Sequence, residues 1–314
     1  MASNQKGKAE DPQPKIEINV DLTKAAGIAD DPDAIDRAYQ RVKATFASGK
    51  TKPYAFRMKQ LREMHKGLQK MRAELSKAAS EDLSKDDFTN WFVELRGVER
   101  EAEEAMAHLK TWMRDECVDT PLFLGPGKSY LQKEPLGVVA VMSSWNYPLA
   151  TALSPVISAV AAGNAVILKP SEMAPATAHA LKAFFARYLD VNSYQCVNGG
   201  VQVAIRTTQT RFDLIVFTGS TAKGRLVAAA AAKNLVPTIL ELGGKSPLVV
   251  DESCDLDYTA KKVAAMGFMN SGQLCIRCDY VLVPLALVNK FATKVKSHME
   301  AYYQNGARKN TLGK

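Results

Sequence analysis

The chain has 314 residues, 46% of them hydrophobic, enough to bury a sizeable core and, by length, to build about two domains. Its net charge of +8 comes from lysines and arginines interleaved with acids, as in "RMKQLREMHKGLQKMRAELSKAASEDLSKDD"; without clustering beside aromatics this reads as solvated helix faces and excludes a nucleic-acid surface. Five scattered cysteines exclude the disulfide framework of a small secreted protein, and no apolar run approaches the roughly 20 residues of a membrane span.

Residues 1 to about 30 are polar and expected to be poorly ordered, with no apolar core of a secretory signal and too little arginine for a transit peptide. A reducing, cytoplasmic location is the expectation. From Asp33 to about Cys117 apolar residues recur at three and four, as in Leu61, Met64, Leu68 and Met71, which predicts a layer of helices. "DPDA" near Asp31 and "SKDD" near Ser84 supply capping chemistry. Near Pro121 the chain turns Gly- and Pro-rich, and "GPGKSYLQKEPLG" contains a short alternating piece suited to a hairpin strand.

Strand-like and helical stretches then alternate. "GVVAVMSSW", "NAVILKP" and "FDLIVFTG" read as strands, and "LATALSPVISAVAAG", "ATAHALKAFFARYL" and "TAKGRLVAAAAAKN" as helices. Fully apolar strands in a βαβα rhythm predict an α/β fold, a doubly wound parallel sheet covered by helices on both faces. The rhythm restarts near Gly243: "SPLVVD", a helix to about Met269, "DYVLV", and a helix to about Tyr303. The expected division is therefore 1–30, 31–242 with a hairpin near 118–135, and 243–314.

Several motifs admit chemistry. "GPGKS" and "LGGKS" end like a P-loop, but the required earlier glycine is Leu122 in one and Ile239 in the other. The dinucleotide fingerprint G-x-G-x-x-G is absent. In "FTGSTAKG" a strand runs into Gly219, Ser220 and Thr221, and Gly224 opens a helix. That turn is either an anion site built from helix N-terminal amides or an ordinary capped turn. "FMNSGQLCIRCDY" carries Cys275 and Cys278. Zinc lacks a second half-site among four scattered histidines, and a redox pair belongs after a strand, at a helix N-terminus. Cys275 remains a nucleophile or an inert buried thiol. Glu241 follows the strand "PTIL" and precedes two glycines. It is either a general base, its pKa raised by burial, or a capping or salt-bridged surface residue. Asn146 in "SWNYP" is either a donor to an oxyanion or a turn asparagine before proline.

Taken in order, "WNYP", "AAGNAVILKPSE", "FTGSTAKG", "LELGGKSP" and "FMNSGQLC" resemble the motif set of the aldehyde dehydrogenase superfamily, most like its class 3, or fatty-aldehyde, branch. The resemblance runs from about Ser48 to the last residue. It implies a Rossmann-like cofactor domain with an N-terminal helical layer, an incomplete α/β catalytic domain, a homodimer in a full-length form, and NAD or NADP as cofactor. The implied substrate is an aldehyde, medium- to long-chain aliphatic or aromatic. By that resemblance Cys275 attacks the aldehyde to give a thiohemiacetal. Asn146 and the Cys275 amide hold the oxyanion, hydride leaves for the nicotinamide, and Glu241 activates the water that hydrolyses the thioester. Lys169, Ser171 and Glu172 in "KPSE", with Trp145, Gly219, Ser220, Gly224, Leu242 and Gly243, are the implied cofactor contacts. Cys278 has no implied role.

The chain departs from the family by ending at "NTLGK", before an "E-x-F-G-P"-type motif and the late strand that completes a dimer's sheet. Two strands do not easily bury both faces, so exposed edges and apolar surface are expected in the second unit. Two readings follow: an incomplete copy of a dehydrogenase, with poor activity as written, or a truncated nucleotide-binding or interaction protein.

Overall fold

The computed structural model describes residues 30–303; the polar segment read as poorly ordered lies almost wholly outside them. Five helices come first: Asp33–Ala47 (α1), Tyr54–Lys70 (α2), Arg72–Leu83 (α3), Asp87–Thr89 (α4) and, after a π-helical turn over Asn90–Leu95, Arg96–Trp112 (α5). The three-and-four spacing has its physical outcome in α2, where Leu61, Met64 and Leu68 are fully buried. Each buried side chain of this size contributes about 1.5–3 kcal/mol. Of the two capping signals, Asp86 accepts from the Thr89 amide and caps α4, and Asp31 takes the Asp33 amide outside α1.

The glycine- and proline-rich segment is a two-stranded antiparallel ribbon of Glu116–Val118 (β1) and Ser129–Leu131 (β2). Leu122 and Phe123 between them stand almost entirely in solvent.

Five parallel strands follow: Val138–Met142 (β3), Ala165–Lys169 (β4), Tyr194–Cys196 (β5), Leu214–Gly219 (β6) and Thr238–Leu242 (β7), in the order β5-β4-β3-β6-β7. Their crossovers are Ala150–Ala161 (α6), Pro175–Tyr188 (α7), Val201–Gln209 (α8) and Thr221–Ala232 (α9). All residues of β3 and β4 are buried, as central parallel strands require. Alternation along each strand sends side chains to opposite faces. Val139, Val141, Val166 and Leu168 pack with α2, α3, α5, α6 and α7, whereas Val138, Ala140, Met142 and Ile167 pack with α1, α8 and α9. The sheet is doubly wound, and its order reverses between β3 and β6, where open α/β sheets place their ligands.

Sequence reading missed β5 and α8. β5 has only three residues and owes its extended form to pairing with β4. α8 is a nine-residue helix, "VQVAIRTTQ", rich in β-branched residues that favour strand.

A separate two-stranded parallel sheet pairs Ser246–Val249 (β8) with Cys278–Leu282 (β9); Leu256–Gly267 (α10) packs against β9, and Val288–Tyr302 (α11) packs against α10. Its core is small, centred on Val250, Ala260, Val263 and Phe291. Val249, Tyr280 and Leu282 are exposed on it.

The helical layer also finishes the sheet's helices. Helices α6, α7 and α8 start without a side-chain cap of their own. Glu94 accepts the Leu149 and Ala150 amides at 2.9 and 3.2 Å, and Asp82 accepts those of Ala176 and Thr177 at 3.1 and 2.8 Å. Asp30 accepts the Gly200, Gln202 and Val203 amides at 2.9–3.1 Å. A carboxylate at a helix N-terminus satisfies orphan amides and complements the dipole. Only α9 of the four crossover helices is self-capped: Ser220 Oγ accepts the Lys223 amide at 3.3 Å.

Candidate active site

Three loops meet where β3 and β7 end. The first leaves β3 and carries Trp145 and Asn146, both half-buried. The second leaves β7 through Glu241, Leu242, Gly243 and Gly244. The third joins α10 to β9 and carries Cys275.

The third loop takes an uncommon path. Asn270, Ser271 and Gly272 are all left-handed, with φ of 53°, 56° and 74°. Only glycine and, less readily, asparagine adopt this region at low cost. Asn270 is fully buried, and its Nδ2 donates to the Asn146 carbonyl at 2.9 Å and to the Gln273 carbonyl at 3.2 Å. Asn146 Nδ2 donates to the same Gln273 carbonyl at 2.9 Å, and its Oδ1 accepts from Ser144 Oγ at 2.7 Å. The amide implied as an oxyanion donor is therefore oriented by Ser144 and tied to the backbone two residues before Cys275.

Gly244 fastens the second loop to the third: its amide donates to the Cys275 carbonyl at 3.2 Å, and a Cβ there would stand 2.9 Å from that oxygen. Gly243, singled out by sequence, is exposed with open space around it. Gly224 lets the first turn of α9 pack on β7, since a Cβ would lie 2.6 Å from the Leu242 side chain.

Cys275 and Glu241 are brought together. Burial, the negative charge of Glu241 and a hydrogen bond to that carboxylate all push the Cys275 thiol above its usual pKa. Of the two readings left open for Glu241, the buried one is not found. Glu241 is exposed, because β7 is the edge strand of the five-stranded sheet. Cys275 is thus a thiol whose ionisation is disfavoured, set beside a carboxylate. Since Glu241 disfavours the thiolate, Glu241→Gln should move the midpoint of Cys275 alkylation by iodoacetamide to lower pH. The native midpoint is expected above the ordinary thiol value of about 8.5. A midpoint unchanged by the substitution would remove Glu241 from the thiol's surroundings.

All five cysteines are free thiols, and the described residues contain no group of three metal-binding side chains. Cys278 opens β9 and its Sγ lies 3.6 Å from the Tyr280 carbonyl. Of the implied cofactor residues, Lys169 ends β4 with its ammonium on Glu172, and Ser171 Oγ accepts the Met173 amide at 3.2 Å.

Sequence reasoning missed two residues that the fold delivers to this site. Lys85 and Glu94 are a fully buried ion pair, Nζ to Oε1 2.8 Å. Lys85 also donates to the Asn146 carbonyl at 2.9 Å and sits 4.2 Å from the Tyr147 ring centroid. In sequence both are one more charge in an amphipathic helical region, and nothing local marks them.

A doubly wound sheet with a thiol, a carboxylate and a carboxamide gathered near the ends of β3 and β7 defines an α/β protein with a candidate site at the carboxyl ends of its strands. The profile of the Aldehyde dehydrogenase family matches residues 19–313, and the chain belongs to that family. It is 40% identical over 277 residues to the dimeric NADP-preferring aldehyde dehydrogenase of Rattus norvegicus, covering 88% of this chain and 61% of that one. It is 38% identical over 269 residues to aldehyde dehydrogenase family 3 member A2 of Macaca fascicularis, covering 86% and 56%. The P. syringae indole-3-acetaldehyde dehydrogenase AldA, solved in complex with NAD+ and IAA, superposes with a TM-score of 0.82 at 25% identity, covering 91% and 59%. The chain thus spans less than two thirds of the length of each of these relatives.

Proposed function

We propose that the protein to which this chain corresponds oxidises aldehydes to carboxylic acids with NAD or NADP, through a covalent adduct on Cys275. The observation that carries the reading is the meeting of Cys275 with Glu241 beside the Asn146 carboxamide. In this reading the Cys275 thiol gives up its proton to water and its sulfur attacks the carbonyl carbon. Asn146 Nδ2 and the Cys275 amide donate to the oxygen as it becomes negative. Once the thioester exists, Glu241 is exposed enough to hold and deprotonate a water that attacks it.

Bound NAD(P)+ supplies the hydride acceptor. The residues present fit such a group: the N-termini of α6, α7 and α8 are filled by carboxylates, whereas α9 begins at the Gly219–Ser220 turn with only its own Ser220 cap. Lys169 and Glu172, paired at the end of β4, would hold a ribose hydroxyl in this reading; Ser171, Trp145, Leu242, Gly243 and Gly224 complete the proposed cleft. The rat relative is named NADP-preferring, and the P. syringae structure contains NAD+, so either cofactor is compatible.

An apolar aldehyde, medium- or long-chain aliphatic or aromatic, is favoured. Phe88, Trp91 and Phe92 form an aromatic cluster on the segment between Lys85 and Glu94, with Phe88 and Phe92 largely exposed. A homodimer is proposed on the exposed apolar ribbon, in line with the rat relative's name, and a cytoplasmic setting on the five free thiols.

The test is peptide mapping by mass spectrometry after incubating the 314-residue chain and its Glu241→Gln variant with NAD+ and hexanal. An acyl group on Cys275 that accumulates in the variant is expected. Cofactor binding without any adduct would replace this reading with the non-catalytic nucleotide-binding one.

A further inference from the structure

We propose that Lys85, neutralised by Glu94, is a positioning residue that fixes the Asn146–Tyr147 peptide and thereby aims the Asn146 carboxamide at the oxygen of a Cys275 adduct. The inference rests on the covalent role proposed above for Cys275.

The Asn146 carbonyl accepts two donors, the Lys85 ammonium at 2.9 Å and Asn270 Nδ2 at 2.9 Å. A carbonyl held from two directions cannot rotate about the adjoining backbone bonds. The side chain on the same residue then has only its own two torsions left, and Ser144 Oγ fixes those by donating to Oδ1. Nδ2 consequently points toward the Cys275 loop, where one of its protons reaches the Gln273 carbonyl at 2.9 Å. The second proton is available to an oxyanion.

The cost of this arrangement is large. Lys85 and Glu94 have no solvent exposure, and burial pulls the lysine pKa down while Glu94 opposes the shift. A buried pair of this kind is often no more stable than apolar residues of the same size. Stability alone therefore does not explain an ammonium at this point. Glu94 is itself held by its cap on α6, through the Leu149 and Ala150 amides, so it cannot follow the lysine elsewhere. The chain of contacts runs from the start of α6 through Glu94 and Lys85 to Asn146, every link a direct hydrogen bond. The Tyr147 ring, 4.2 Å from the ammonium, closes the remaining side.

Neither Lys85 nor Glu94 is placed against the substrate; both act through Asn146. Their effect should therefore appear only in steps that develop an oxyanion. Acylation of Cys275 by p-nitrophenyl acetate passes through a tetrahedral oxyanion and needs no cofactor. Alkylation by iodoacetamide is a direct displacement at carbon and develops none. The ratio of the two rates isolates the positioning effect from changes in the thiol itself.

The experiment compares both rates in the native chain, in Cys275→Ala, and in the double variant Lys85→Met with Glu94→Gln. The double variant leaves no unpaired buried charge, and the carboxamide introduced by Glu94→Gln keeps an oxygen for the α6 amides. Acylation at Cys275 is expected to fall about 10²-fold, the scale of an ångström of misplacement, with alkylation unchanged. Asn270→Gly removes the second donor to the same carbonyl, and glycine is at ease at φ 53°; it should give the same split, and it decides the matter if the double variant does not fold. Unchanged acylation in the folded variants, or an equal fall in both rates, would overturn the positioning role. If Cys275→Ala is acylated as fast as the native chain, the covalent role of Cys275 fails instead, and this inference falls with it.

Discussion

Asn146→Ala should slow p-nitrophenyl acetate acylation of Cys275 by about 10²–10³-fold, the usual cost of one oxyanion donor, equivalent to about 2.7–4 kcal/mol of barrier. The carboxamide is half-buried, oriented by Ser144, and already aimed at the backbone two residues from the thiol. Iodoacetamide alkylation should hold its rate, because the thiol keeps its neighbour Glu241 and its burial. The substitution also removes the bond to the Gln273 carbonyl, but Asn270 Nδ2 still donates there at 3.2 Å and keeps the loop in place. A loss in acylation below about tenfold would mean that the Asn146 amide serves only to tie the two loops. Burst kinetics at fixed pH, with alkylation measured in parallel, decide between these outcomes.

Glu94→Ala should be among the most destabilising single changes in the chain. It removes the partner of a fully buried ammonium and uncaps α6 in one step. Stranding a buried charge costs about 3–5 kcal/mol, and the lost cap adds about 1 kcal/mol. For a chain of this size that corresponds to a fall in Tm on the order of 10 °C. Adding Lys85→Met should recover most of the loss, since the cost lies in the unpaired charge. Thermal unfolding followed by circular dichroism measures both. A Glu94→Ala variant within about 1 kcal/mol of the native chain would show that Lys85 reaches water or loses its proton without penalty.

The architecture was legible where the sequence pattern is strong. β3 and β4 are apolar at nearly every position, and no other element type suits a short unbroken run of Val, Ala, Ile and Leu between glycine- or proline-marked turns. Asn146, Glu241 and Cys275 stood out as candidates because each lies close to glycine or proline, in a loop or at a strand end, while the local sequence left each of them an inert alternative. β5 and α8 were not legible: three residues carry no period, and β-branched residues in a nine-residue helix argue against it. Which of the two alternatives holds for Glu241, buried or exposed, was not legible for a related reason. Its strand looks like the others in sequence, and only the strand order places it at the sheet's edge, where neighbours cover one side.

What the sequence by itself determined is most of the elements and the parallel sheet, since each follows from local pattern. What only the tertiary structure decided is how the site is held. Glu94, Asp82 and Asp30 cap helices through amides that lie 55, 94 and 170 residues further along the chain, and Lys85 reaches Asn146 across 61. Such contacts leave no periodic or motif signature, because a charged residue in an amphipathic helix reads the same whether it meets water or a buried partner. The distinction is made by what the fold packs against it.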